Sequence, residues 1–298
     1  MKKDCILIAT LPSLSNLRNV EKVIMNPNIA EVRFNTGVNS IYSVEETLEI
    51  LKGLCSRYNK KLWIDIKGRQ LRVAKWADPL YECIELNHPI QIEYPAKISF
   101  RNGDTVNITH VKGNKIYVDP LPKEALGAGQ SVNISAKSLK IEGYLTPKDK
   151  QYLVACKKMG LNNIMASFVE DYKDLVQILE ILPNANIVSK IESLKGIDCI
   201  NQFKIINLMA ARDDLYLQTG QNYSMLSYLK NIILKDNGAI CASKIFSSLE
   251  KRREVDFSDF ADLELMYNLG YRKFMLCDNI CNYKFEKAIK AWEEFING

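Results

Sequence analysis

Two hydrophobic patterns alternate along the chain. Runs of six or seven mostly apolar residues recur: CILIAT (5–10), AEVRFN (30–35), LWIDIK (62–67), NIMASF (163–168), NIVSKIE (186–192), IINLMAA (205–211), AICASKI (239–245) and KFMLCD (273–278). Runs this short and this apolar predict strands buried on both faces, as in a parallel sheet covered by helices. Stretches with apolar residues three or four apart separate most of them and predict helices: 43–59, 146–160, 170–182, 222–238, 257–270 and 282–295. The second of these opens on Thr146, Pro147 and Asp149 and closes on Gly160. That is a helix start with a reciprocal cap and a helix stop with a glycine.

Strand–helix alternation fits an open doubly wound sheet as well as a closed barrel. The count of eight runs favours the barrel. So does the lack of a glycine-rich fingerprint after the first run. Between Arg72 and about Glu142 the alternation stops. KISFRNGDTVNITH, KIYVD and SVNISA read as short antiparallel strands, with Asn102-Gly103 as a hairpin turn. The expected fold is α/β: a TIM (β/α)8 barrel from 1–72 and 143–298, with a small β-rich lid domain, 73–142, inserted after strand three.

Composition narrows the function classes. The chain has 298 residues, 47% hydrophobic, enough for a full-sized core. Forty Lys and Arg against 35 Asp and Glu leave a net charge of +5, and no basic run is long enough for a nucleic-acid stripe. No segment approaches a membrane span, and the apolar run after Lys2 and Lys3 is too short for a signal peptide. Eight cysteines without a CxxC pair read as reduced, mostly buried thiols, and Cys277 and Cys281 lack partners for a zinc site. The expectation is a cytoplasmic protein without nucleic-acid or membrane partners. Its only histidines, His88 and His110, both fall in or beside the insert, so barrel chemistry must rest on carboxylates, Lys, Arg and hydroxyls.

In a barrel, reacting groups project from the C-terminal ends of strands. Those ends carry Arg33 and Asn35, Asp65 and Lys67 with Arg72 beyond, Ser167, Lys190 and Glu192, Asp213 and Asp214, and Ser243 with Lys244. Lys190 and Glu192 are two apart, so they share a face. Glu192 and Asp214, from adjacent strands, would clamp one hard divalent cation, Mg2+ or Mn2+. Lys190 would neutralise charge on a transferring group. Lys67, Arg69 and Arg72 favour an anion.

These segments resemble pyruvate kinase. VSKIESLKGID (188–198) resembles the family segment with its catalytic Lys and first metal-binding Glu, and LMAARDDLYLQ (208–218) the segment with the second metal ligand. IATLPS (8–13), DIKGRQLR (65–72), LTPKDK (145–150), MASFVEDYKDL (165–175) and ICASKIFSSLE (240–250) match further landmarks in order. The resemblance implies Mg2+ on Glu192 and Asp214, and Lys190, Arg33 and Arg72 at the transferred phosphoryl group. It implies Ser243 at a family Thr near the substrate carboxylate, and Asn35 and Asp65 on a monovalent cation, potassium. Lys67, Ser167, Asp213 and Asp214 would line the substrate pocket. The substrate would be phosphoenolpyruvate, pyruvate or a similar anion, with ADP or ATP as the nucleotide.

The departures are specific. Asp213 stands at a family Gly that approaches the substrate carboxylate. Ile66 replaces a Thr that helps hold potassium. Thr36-Gly37 shortens a turn and lacks the family's His, and LGAGQSVNI (126–134) lacks its nucleotide-facing lysines. The chain stops after the eighth barrel helix, so the expectation is no regulatory C-terminal domain; a homo-oligomer stays open. Two enzyme readings follow: Mg2+-dependent phosphoryl transfer, or metal-dependent enolate chemistry of aldolase or lyase type on an α-keto acid. A third, a non-catalytic relative, predicts decay at Lys190 or Glu192, which the sequence does not show.

Overall fold

In chain order the first elements are β1 (Ile6–Thr10), α1 (Leu17–Met25), β2 (Ile29–Asn35), α2 (Val44–Arg57) and β3 (Lys61–Ile66). Short strands follow: β4 (Ile84–Glu85), β5 (Ile90–Gln91), β6 (Ala96–Phe100), β7 (Thr105–Lys112), β8 (Lys115–Asp119), β9 (Val132–Ser135) and β10 (Lys140–Ile141). Then come α3 (Pro147–Met159), β11 (Asn163–Ala166), α4 (Tyr172–Ile181), β12 (Asn186–Ile191), α5 (Leu194–Cys199), β13 (Asn207–Ala211) and α6 (Arg212–Gln218). The last are α7 (Met225–Lys235), β14 (Ile240–Ala242), α8 (Ser248–Lys251), α9 (Phe257–Leu269), β15 (Lys273–Leu276), α10 (Asp278–Tyr283) and α11 (Phe285–Asn297). This computed structural model describes the chain outside residues 1, 3, 39, 78–82, 101–102, 137, 203–206 and 219–223. It divides into two compact units, residues 1–66 with 151–298, and residues 67–150.

The first unit is a closed barrel of eight parallel strands in the order β1-β15-β14-β13-β12-β11-β3-β2. The expected barrel is therefore the observed fold. Its interior is packed by Ile8, Trp63, Met165, Val188, Met209, Ile240, Ala242 and Met275. Two residues further along their strands, the same inward positions become Thr10, Asp65, Ser167 and Lys190. Side chains alternate faces with period two, so one row runs from an apolar floor into a polar rim. The register Met165 with Asp65 and Lys190 with Met209 staggers these layers around the barrel.

Three strands end two or more residues before their apolar runs do. β14 stops at Ala242 because Ser243 and Lys244 take left-handed φ of 66° and 62°. β11 stops at Ala166, two residues before Phe168 at φ 49°. β15 stops at Leu276, and Asp278 opens a helix instead. The last expected helix is two, α10 and α11, broken at Lys284, whose φ of −135° is not helical. α1 was not anticipated; Asn16 caps it by accepting Asn19 N–H at 3.2 Å, and Val20, Val23 and Ile24 pack inward. Ile205 and Ile206 of the sixth run, and Asn222 and Tyr223 of the expected fourth helix, lie outside the described residues.

The second unit holds a five-stranded antiparallel sheet, β4-β8-β7-β6-β9, and a two-stranded one, β10-β5. Along β7, Val106 and Ile108 are buried between exposed Thr105 and Asn107, the alternation of a sheet wet on one face. Val106 and Ile108 join Val73, Leu86, Ile98, Ile116, Val132 and Ile134 in the core. Asn102, first residue of the expected hairpin turn, lies outside the described residues; its neighbour Gly103 has φ 95°. Thr146 and Asp149 form the expected reciprocal cap: Asp149 N–H donates to Thr146 Oγ1 at 3.0 Å, and Thr146 N–H to Asp149 Oδ2 at 3.0 Å. Asp149 also accepts the N–H groups of Lys67 at 2.8 Å and Gly68 at 3.1 Å. It therefore ties the first residues of this unit to its last.

All eight cysteines are free thiols. Burial pushes Cys55 and Cys156 up to about 12, which leaves them inert at neutral pH. Among the described residues, no helix is long and apolar enough to cross a membrane.

Candidate active site

The rim at the strand ends gathers a dense set of charges. Lys190 is 5% exposed, and its ammonium donates to Ser167 Oγ at 2.7 Å. It lies 3.1 Å from Glu192 Oε1 and 3.4 Å from Asp65 Oδ2. Burial pushes its pKa down, but Asp65 and Glu192 outweigh burial and hold it raised. Asp65, fully buried, also accepts Ser167 Oγ at 3.1 Å and Arg33 Nε at 2.6 Å. Glu192 Oε2 accepts the Phe168 N–H at 2.7 Å, and the left-handed backbone at Phe168 turns that N–H inward.

Arg33 is fastened on three sides. Besides Asp65, it donates through Nη1 to Thr10 Oγ1 at 3.1 Å and to Asp278 Oδ1 at 2.9 Å. Asp278 Oδ2 takes the amide of Asn35 at 2.8 Å, while Asn35 Oδ1 accepts the Gly37 N–H at 3.0 Å. The oxygens proposed for a monovalent cation already accept hydrogen bonds: that of Asn35 from Gly37, those of Asp65 from Arg33, Lys190 and Ser167.

The donor set of Glu192 and Asp214 fits a divalent ion. Burial, and then the neighbouring Glu192 carboxylate, push the Asp214 carboxyl up to about 7, against a partial offset from Lys190. Two carboxylates stand together here, with Lys190 offsetting only part of their repulsion. One divalent ion held by both would relieve that crowding. Among the described residues no cluster of three or more metal-binding side chains forms, so the protein would supply Glu192 and Asp214 only.

The remaining expected residues have these partners. Asp213 is exposed and pairs with Lys244 at 2.8 Å, each side chain 51% exposed. Ser243 lends its carbonyl to Arg212. Lys67 and Arg72 belong to the second unit. There Arg72 donates to Gln70 Oε1 at 2.6 Å and the Gly129 carbonyl at 2.6 Å. Sequence reasoning passed over Asp278, Thr10 and Arg212. The signal for Asp278 was present, because it ends the eighth run.

The pyruvate kinase barrel-domain model matches residues 91–264. The chain belongs to the pyruvate kinase family. Ser167, Lys190, Glu192, Asp214 and Ser243 fall within the matched span. Relatives are distant. Pyruvate kinase of Borreliella burgdorferi is 28% identical over 238 residues, covering 70% of this chain and 49% of that protein. That of Naumovozyma castellii is 26% identical over 261 residues, covering 74% and 52%. That of Staphylococcus haemolyticus is 24% identical, covering 88% and 51%. The chain spans about half the length of these family members.

Proposed function

We propose that the barrel catalyses Mg2+-dependent phosphoryl transfer between an enol phosphate, phosphoenolpyruvate or a close analogue, and an acceptor such as ADP. The observation that carries this reading is the crowding of Glu192 against Asp214 beside Lys190, since a divalent ion relieves it. Bound there, Mg2+ would polarise substrate oxygens and offset the charge of an enolate. Glu192 and Asp214 would hold it. Lys190 keeps its proton, because its carboxylate neighbours raise its pKa, and would neutralise charge on the moving phosphoryl group. Arg33 would meet a phosphate oxygen, held in orientation by Asp65, Thr10 and Asp278. Asn35 and Asp65 act in this reading as supports for Arg33, Asp65 by accepting it directly and Asn35 by sharing its acceptor Asp278. The proposal rests on the barrel's own residues; Lys67 and Arg72 are left to the second unit.

The test is direct. The protein is incubated with Mg2+, phosphoenolpyruvate and ADP, and ATP is measured. ATP that vanishes in Glu192→Gln and Asp214→Asn supports the reading. No ATP, with Mn2+-dependent oxalate binding retained, moves the site to enolate chemistry of the aldolase or lyase type. No Mn2+ binding at all defeats both.

A further inference from the structure

The turn leaving β14 is strained and clamped at once. Ser243, Lys244 and Phe246 have φ of 66°, 62° and 53°, and none is glycine. Such residues persist only where the surroundings over-determine them. Arg212, the buried first residue of α6, donates to the Ser243 carbonyl through Nε at 3.1 Å and Nη2 at 2.6 Å. Its two terminal nitrogens face Asp262 of α9, Nη1 to Oδ1 at 2.7 Å and Nη2 to Oδ2 at 2.9 Å. A fork-to-fork pair of this kind fixes the guanidinium in its plane. α9 grips the same turn twice more. Phe246 sets its ring edge against Phe260, centroids 6.3 Å apart, and Ser248 N–H donates to Asp259 at 3.2 Å.

All this rigidity converges on one peptide at the mouth of the barrel. β14 pairs directly with β13, whose end leads into Asp214. Among the described residues, nothing hydrogen-bonds the Ser243 hydroxyl. An unspent hydroxyl on an immobilised, strained turn is a group set for a ligand. We propose that Arg212 and Asp262 are positioning residues: the pair holds the Ser243 peptide so that its hydroxyl meets an anionic oxygen of the bound substrate. This rests on the reading of Glu192 and Asp214 as a metal–enolate site. Neither Arg212 nor Asp262 touches substrate in this account.

The test uses Mn2+ and oxalate as probes and keeps buried Arg212 in place. Asp262→Asn breaks the charged fork at constant shape, and Asp262→Glu shifts it by one methylene if the first variant does not fold. Mn2+ affinity alone should match the wild type, because Glu192 and Asp214 are untouched. Oxalate affinity in saturating Mn2+ should fall about tenfold, the loss of one hydrogen bond to a charged group. Ser243→Ala should fall by a similar factor, and the double variant no further, since both act through one hydroxyl. Oxalate affinity within twofold of wild type in the Asp262 variant, or losses that multiply in the double variant, would overturn the proposal and leave the metal-site reading standing. A wild type that binds Mn2+ but no oxalate would remove both.

Discussion

Asp278 receives Arg33 Nη1 at 2.9 Å, tying the end of β15 to β2 across the intervening β1. The pair closes the barrel rim where its first and last strands meet. Asp278→Ala would strip Arg33 and Asn35 of a shared acceptor. Its side chain is 37% exposed, so the loss is discounted for solvent and set at about 1–2 kcal/mol. Urea unfolding of the variant measures it; an unmoved midpoint would show that the pair is incidental.

Lys190 presents a steeper case. Its ammonium lies 3.4 Å from Asp65 and 3.1 Å from Glu192, which are 0% and 2% exposed. Lys190→Met removes the ammonium from buried Glu192, at a cost of about 3–5 kcal/mol, while Asp65 keeps Arg33. Adding Glu192→Gln should recover part of that loss, and a double variant as unstable as Lys190→Met would refute the electrostatic account. The folded pKa of Lys190 is raised. Its contribution is therefore complete below the ordinary lysine value and fades only as pH rises past it.

Asp214 makes metal binding a function of pH. Its carboxyl titrates at about 7, so below that value an incoming cation must displace a proton. Mn2+ affinity should fall about tenfold per pH unit below 7 and level off above it, one proton being released per ion. A titration followed by calorimetry in two buffers gives both the slope and the proton count. A flat affinity between pH 5 and pH 8, on the order of three units, would contradict the crowding of Glu192 and Asp214.

The same crowding penalises the metal-free fold. A carboxyl whose folded pKa is raised stabilises the protein fully below its unfolded value near 3.8, and that contribution is lost as pH rises through about 7. Asp214→Asn should therefore unfold at higher urea than wild type at alkaline pH without metal, while losing Mn2+ affinity. A variant less stable than wild type under those conditions would mean that Asp214 supports the fold by contacts other than its charge.

Much of this was legible in the sequence because barrels write themselves in period two. Trp63 and Asp65, or Val188, Lys190 and Glu192, sit two apart, so an apolar run that ends in charge marks both strand and rim. What escaped detection was set by distant partners. Asp278 owes its meaning to Arg33, 245 positions earlier, and Arg212 to Asp262, 50 positions later. Left-handed backbone at Ser243 and Lys244 was unreadable, since neither residue is glycine and the holding groups lie on other elements. The pairing of exposed Asp213 with Lys244 was equally unreadable, since Lys244 comes from the adjacent strand end. α1 was missed because only Val20, Val23 and Ile24 form its buried stripe.

Trp63 lies in the barrel floor, 3% exposed, one inward position before Asp65, with its indole N–H on Glu31 and the Lys61 ammonium 4.1 Å from its ring. Only two other tryptophans exist, Trp76 in the second unit and Trp292 on the outer α11. An indole flanked by a fixed cation and a fixed carboxylate emits at a wavelength that follows the local field. Trp63 therefore lies beneath the rim as an internal probe, and an ion held by Glu192 and Asp214 is expected to change its intrinsic emission, which a metal titration followed by fluorescence checks.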